Sequence, residues 1–319
     1  MFQERLLELL STNSRIGLIV HEKPDGDSVA SCIALKLALE KIKILTQIIS
    51  TDPIPKPFRF LPKVDSIVDN FFPSQYDILI VLDCGNLQRT GFPEKIINFA
   101  KSKPLINIDH HPKNDIHKIS TLNLIDYNAT ATVEIIAKLI EKLKISMDKD
   151  IATCLMTGLY TDTGGFKHSN TLQNTFTNAS RWLSSGAKLS KIIFNLTGQK
   201  SIKSLKLFGI ACKRIKIQPN LNMAMTVLTQ EDLLKTGAQV EEVNGIINQL
   251  LALPNIQTVM LFFEINESYI KTTIRSNDFS FDCLKFASIF DGNGKKNAAG
   301  FTFTGSVVNG TDNWEINFE

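Results

Sequence analysis

No uninterrupted apolar run approaches the roughly 18 residues that a membrane-spanning helix needs, so a protein that crosses a membrane is not expected. An export signal is missing as well. The first ten residues, MFQERLLELL, carry charges inside the apolar pattern and predict an amphipathic helix, and a cytoplasmic location is the expectation. Cysteine is scarce: Cys32, Cys84, Cys154, Cys212 and Cys283 are odd in number, widely spaced and never in a C-x2-C pair. That spacing argues against a thiolate zinc site and predicts buried free thiols. Charge of one sign is also lacking. A net charge of +3 is too small to announce a duplex-binding surface, although it leaves room for a local basic cleft. There is no repeat of fixed period and no low-complexity segment. Histidine occurs only five times in 319 residues.

What is present is the usage of an ordinary globular protein, 43% apolar and 21% charged. A chain of this length predicts two cores, because one core rarely grows past about 250–300 residues. In the N-terminal half IGLIV (16–20), ILTQIIS, DILIVLDC and PLINID read as short buried strands. SVASCIALKLALEKI and TATVEIIAKLIEKL carry apolar residues at helical spacing. Alternating strands and helices predict parallel βαβ units in a doubly wound, mainly parallel α/β sheet over 1–190. From about Asp150 to Leu196 the pattern is mainly helical. SIKSLKLFGIACKRIKI predicts a helical linker within 191–215. MAMTVLT, IQTVMLFFEI, YIKTTIRS and FTFTG, with helices at VEEVNGIINQLLAL and DCLKFASIF, predict a smaller α/β domain over 216–319.

The chemistry-bearing residues gather at strand ends, which is where ligands bind in open parallel sheets. IGLIV is followed by His21, Asp25 and Asp27; DILIVL by Asp83; PLINI by Asp109, His110 and His111. Asp162, in LYTDTGGF, follows a helix whose apolar face includes Ile151, Leu155 and Leu159. Four segments therefore deliver carboxylates and imidazoles to one edge. Crowded carboxylates repel one another and raise their own pKa values unless a cation neutralises them. Imidazole and carboxylate without thiolate suit manganese or a similar borderline ion better than calcium. Six such ligands, one of them bridging, are enough for two ions roughly 4 Å apart, as in phosphoryl-transfer sites.

Each segment also has a plain reading. PDGD is a common turn, and Asp27 or Ser28 could simply cap the following helix. A His-His pair or a TDTGG turn could belong to an ordinary loop. Together those readings require the acids and most of the histidines to converge by chance, since only His117 lies outside the segments once the last is extended to His168. The convergence favours a metal site.

The motifs HEKPDGDSVAS, VLDCG, NIDHHPKND and GLYTDTGGF match, in order and in strand-end placement, those of the DHH phosphoesterases, and the chain resembles the branch with an AAG-containing associated domain. The resemblance implies that His21 and Asp25 bind one manganese ion and Asp27, His110 and Asp162 another, with Asp83 bridging. Magnesium or cobalt are the implied substitutes. It further implies that Asp109 orients the His110 ring and that His111 faces the substrate phosphate. The implied reaction is phosphoester hydrolysis by metal-activated water.

In FDGNGKKNAAGF the residues Gly292, Gly294, Ala298, Ala299 and Gly300 resemble the family's C-terminal Gly-Gly-Gly-His and Ala-Ala-Gly motif. Asn293 replaces a glycine and Lys295 replaces the histidine. A plain Gly-rich turn is the other reading of this stretch. Arg275 resembles the family's phosphate-binding arginine, Arg89 is a weaker candidate for the same contact, and His168 reads as a rim residue. Family members of this length resemble the nanoRNase and pAp-phosphatase group. The implied partners are short single-stranded RNA, dinucleotides such as pApA, and 3′-phosphoadenosine 5′-phosphate, with homodimerisation one assembly to test. Two alternatives stand beside this reading: a family-II type inorganic pyrophosphatase, and a nucleotide-binding regulator without hydrolysis.

Overall fold

The computed structural model describes Leu6, Leu9, 14–111, 114–168, 170–197, 201–278, 280–308 and 313–318, apart from the side chain of Asn244. The predicted N-terminal helix, Leu6 and Leu9 excepted, lies outside the described residues. The chain divides into two compact units, Met1–Gln199 and Lys200–Glu319.

The first unit is a five-stranded parallel sheet, β1 (Arg15–Ile19), β2 (Leu45–Ile49), β3 (Ile78–Leu82), β4 (Leu105–Asp109) and β5 (Leu122–Ile125), in the order β2-β1-β3-β4-β5. β1 lies in register with both β2 and β3, and β3 with β4. The central strands are apolar runs because both of their faces are covered. On one face pack α1 (Gly26–Lys41), α3 (Thr132–Lys142) and α4 (Lys149–Asp162), contributing Val29, Ile33, Ile136 and Leu155 to the larger core. On the other packs α2 (Pro93–Ala100), through Ile96 and Phe99. α5 (Gln173–Ser184) and α6 (Leu189–Thr197) complete the unit. The strand order reverses between β1 and β3, and that switch point is where an open α/β sheet leaves a crevice at the strands' carboxyl ends.

The second unit begins with α7 (Ile202–Lys213), the segment predicted as a linker; its Leu207 and Ala211 are core residues of this unit. A mixed sheet follows: β6 (Lys216–Gln218), β7 (Met223–Leu228), β8 (Thr258–Asn266), β9 (Tyr269–Ser276), β10 (Asn293–Lys295), β11 (Ala298–Val308) and β12 (Glu315–Phe318). α8 (Gln230–Thr236) and α9 (Val240–Leu250) lie between β7 and β8, and α10 (Cys283–Ser288) precedes β10. Alternation along β8 serves two cores: Val259, Leu261 and Phe263 join α7 and α9, while Met260 and Phe262 join Phe301, Trp314 and α10. All five cysteines are free. Four are buried as expected, and Cys212 is only half-buried.

Candidate active site

The loop leaving β1 and the first turn of α1 carry the first three polar residues of the site. Asp25 is the N-cap of α1: its Oδ1 accepts from Ser28 N at 3.0 Å, and Ser28 Oγ accepts from Asp25 N at 3.2 Å. The cap is thus Asp25, not Asp27 or Ser28, and it uses only one carboxylate oxygen. The other, Oδ2, lies 3.3 Å from His21 Nε2. Asp27 is fully buried, and its two oxygens accept from Thr132 N at 2.6 Å and Val133 N at 3.1 Å, at the N-terminus of α3. A helix N-terminus carries partial positive charge, so it stabilises a carboxylate there.

Asp83, directly after β3, has a left-handed backbone with φ +60°. Non-glycine residues seldom adopt that region, and such strain collects at functional sites. Its Oδ1 accepts from Thr132 Oγ1 at 2.8 Å. β4 ends at Asp109, whose carboxylate collects five donors. Oδ1 takes the backbone N–H groups of His110 and His111 and the His111 Nδ1, at 2.7–2.9 Å; Oδ2 takes Gly85 N at 2.8 Å and Asn114 Nδ2 at 2.6 Å. Asp109 therefore orients the His111 ring, contrary to the expectation that it holds His110. The His110 Nδ1 faces Ala129 O instead, at 3.3 Å.

The six expected ligands come together. Ligand atoms of His21, Asp25 and Asp83 lie within 4.8 Å of one another, as do those of Asp27, His110 and Asp162, and of Asp83, His110 and His111. Asp162 arrives from the last turn of α4, which packs closely on α1 and α3. A Cβ at Gly158 would stand 2.5 Å from Val133 Cγ1 and 2.7 Å from Asp27 Oδ1, so only glycine allows this approach.

The donor set fits a divalent cation. His21 Nδ1 lies 2.7 Å from Glu22 O, and a carbonyl can only accept, so that nitrogen carries the proton in the neutral ring. The buried Nε2 then presents a lone pair and has no hydrogen-bond partner, despite Asp25 Oδ2 nearby. His110 repeats the arrangement: Nδ1 against Ala129 O, Nε2 3.5 Å from both Asp83 Oδ1 and Asp162 Oδ2. Lone pairs facing carboxylates repel unless a cation lies between them, and a second ring nitrogen held by a carbonyl is the usual support of a metal-bound histidine.

The electrostatics agree. Burial, then the neighbouring Asp27 and Asp25, push the Asp83 carboxyl well above its ordinary range, and burial together with Asp25 raises Asp27 to about 7. Burial also opposes ionisation of Asp25 and Asp109. Hydrogen bonds from His111 outweigh it at Asp109, so that carboxyl is held below its ordinary value, and the hydrogen bonds from Ser28 work against it at Asp25. Burial and the nearby His111 lower His110, favouring the neutral imidazole that binds metals.

Arg89 belongs to the same neighbourhood: its Nη1 and the His111 ring each stand 3.4 Å from where a Gly85 Cβ would be. His168 is exposed, with Nδ1 3.1 Å from Asp162 O. In the second unit, Lys295, Ala298 and Arg275 are directly opposite one another across β10, β11 and β9. Cross-strand partners share a face, so both cations flank the AAG stretch. Arg275 Nε is buried without a hydrogen-bond partner, while Asn293, Gly294 and Lys295 are exposed. Gly294 has φ +154°, and a Cβ there would stand 2.4 Å from Ala298 O. Gly292 precedes this hairpin, and Ala299 and Gly300 lie on its second strand. Sequence reasoning missed Thr132 and Gly158, whose partners are distant in sequence, and Asn114, whose partner Asp109 is five residues away. Only Asn114, inside NIDHHPKND, offered a local hint.

An open parallel sheet with carboxylates and imidazoles massed at its switch point has the layout of a metal-dependent hydrolase. Residues 15–159 match the family described as DHH family, N-terminal domain. The chain is 27% identical over 300 residues to the bifunctional oligoribonuclease and PAP phosphatase NrnA of Thermus thermophilus, across 93% of this chain and 86% of that protein. A protein of the same name from Mycoplasma pneumoniae is 22% identical over 271 residues, across 84% and 82% of the two chains. The fold resembles that of an exopolyphosphatase-related protein from Bacteroides fragilis, with a TM-score of 0.80 and 23% identity over 94% of this chain and 90% of that one. The protein is a hydrolase of phosphoester bonds. Its first unit carries the stretch, residues 15–159, that matches the DHH family's N-terminal domain.

Proposed function

We propose that this protein is a manganese-dependent phosphoesterase that hydrolyses very short oligoribonucleotides, including pApA, and 3′-phosphoadenosine 5′-phosphate. The observation that carries the reading is the shared Asp83. It belongs to one ligand group with His21 and Asp25 and stands 3.5 Å from the His110 ring of the other, which suits two ions with a common carboxylate. His21 and Asp25 would hold one ion, and Asp27, His110 and Asp162 the other. When bound, such a pair supplies ionised water at neutral pH and neutralises charge on the phosphoryl oxygens.

The chain's own residues do the rest. Glu22 O and Ala129 O keep the protons of His21 and His110 on Nδ1, away from the ligand position. Asp109 holds the half-buried His111 ring by Nδ1, leaving Nε2 to meet a phosphoryl or leaving oxygen. Arg89 adds positive charge beside His111. The Arg275 and Lys295 row, with the open backbone at Gly294, offers the second unit a phosphate-binding surface of its own.

One assay panel tests the reading: pAp, pApA, ribonucleotide oligomers of about two to twenty units, and pyrophosphate, each in manganese. Fast turnover of pAp and pApA, declining with length, is expected. Phosphate release from pyrophosphate much faster than nucleotide release from pApA would favour the pyrophosphatase alternative. Binding of dinucleotide without cleavage would favour the regulator.

A further inference from the structure

The turn that leaves Asp162 carries an aromatic feature for which the chemistry above has no use. The Phe166 and Phe176 rings stack with centroids 5.5 Å apart and planes 26° apart, and Tyr160 meets Phe166 edge-on at 5.8 Å. Phe176 is 56% exposed, and Leu172 before it 52%. Phe166 has φ +66°, a left-handed backbone that a bulky side chain keeps only where its surroundings impose it. Thr163 Oγ1 contributes by accepting from Phe166 N at 3.0 Å. Strain of this kind concentrates at ligand sites and clamps.

Both edges of the stacked pair are tied to the framework of the metal ligands. On one side, Asp162 O accepts from Asn170 Nδ2 at 3.2 Å and lies 3.1 Å from His168 Nδ1, which folds the turn back over the end of α4. On the other, Thr175, next to Phe176, shares a hydrogen bond of 2.9 Å with Thr130. Thr130 adjoins Ala129, the residue whose carbonyl faces His110, and its Oγ1 also donates to Asn170 O at 3.1 Å. The rings are therefore braced from the Asp162 side and the His110 side together, with Phe176 open to solvent.

We propose that Phe166 and Phe176 form a stacking platform for a nucleobase of the substrate beside the metal centre, with Phe176 making the contact and Phe166 and Tyr160 backing it. The inference rests on the nucleotide reading above and adds the group that selects for a base. A flat exposed ring accepts any base, because every base has a π face, so the platform favours nucleotides over pyrophosphate without choosing among sequences. It also accounts for the strain at Phe166, which holds one ring parallel to a partner on the next helix.

The test measures kcat and KM in manganese for pApA and for an analogue whose 5′ nucleotide lacks its base, with wild type, Phe176→Ala and Phe176→Trp. For wild type, KM for the analogue should exceed that for pApA by about tenfold, the size of one base–aromatic stack. Phe176→Ala should raise KM for pApA by a similar factor and leave both constants for the analogue unchanged, which also serves as the control for folding. Phe176→Trp should keep the wild-type values. In a pApA analogue carrying 2-aminopurine at the 5′ position, binding should quench fluorescence in wild type and not in Phe176→Ala. Normal pApA kinetics and normal quenching in Phe176→Ala overturn the platform alone and leave the nucleotide reading standing. A changed oligomeric state with normal kinetics assigns the patch to contact between copies and also overturns it. If wild type cleaves pyrophosphate and neither nucleotide, the functional reading has failed, and the platform falls with it.

Discussion

The two units hold their polar groups in opposite ways. In the first, Asp27, Asp83 and Asp109 are at most 2% exposed, and their charges are crowded at the ends of strands. In the second, Asn293, Gly294 and Lys295 stand in water on a short hairpin, the Arg275 Nε is buried, and the buried Arg214 and Asp232 neutralise each other. A buried cluster of acids raises its own free energy unless a cation enters, so its residues depend on one another. An exposed hairpin grips through backbone and a few long side chains, and each can change without unfolding the rest. Lys295 belongs to the exposed, tolerant kind, and the six proposed ligands of the first unit to the interdependent kind.

The sharpest way to break this comparison is Asp83→Asn. Loss of the shared carboxylate should cut kcat/KM for pApA by more than about a hundredfold and leave fewer than two ions per chain on metal analysis. Wild-type ion content would undo the assignment. Next in size is the response of stability to pH and metal. Without metal, Asp27 titrates at about 7 when folded. Its unfolded value is near 3.9. The folded state thus keeps a proton that the unfolded state releases, and stability is complete below about 4 and lost as the pH climbs through 7. The unfolding midpoint of chelated protein should fall by about 5 °C between pH 5 and pH 8. Manganese should restore more of it at pH 8 than at pH 5, and a flat profile would contradict the buried-acid account.

A smaller effect is expected from Gly158→Ala, which forces a methyl against Val133 and Asp27. Urea unfolding should register a loss of about 1–3 kcal/mol, with weakened metal retention. The smallest belongs to the second unit: Lys295→Ala should raise KM for pApA several-fold, about threefold to tenfold, and leave kcat alone, as expected for a remote phosphate contact. A fall in turnover at saturating substrate would place Lys295 in the chemistry and erase the contrast between the units.

Much of the site was legible because its ligands follow apolar runs directly, and a buried parallel strand is among the plainest sequence patterns. The runs ending before His21 and Asp83 and the one leading to Asp109 are all five-residue strands of the sheet. Illegible were the partners that only tertiary folding supplies. Thr132 meets Asp27 across 105 positions, and nothing local in TATVEII marks it as the donor to two separate carboxylates. The role of Asp109 was misread for a related reason: adjacent histidines point to different supports, and Ala129 O lies 19 positions from His110. In the fold, β5, β6, β10 and β12 escaped notice because three- and four-residue strands carry too little alternation to read. The helix α7 looked like a linker, yet its Leu207 and Ala211 are buried in the second core.

The most direct measurement is an anomalous difference map, recorded at the manganese edge from crystals grown with the ion. Two peaks roughly 4 Å apart are predicted, one beside His21 and Asp25, the other beside Asp27, His110 and Asp162, with the Asp83 carboxylate touching both. Density elsewhere, or none among these side chains at saturating manganese, would contradict the account.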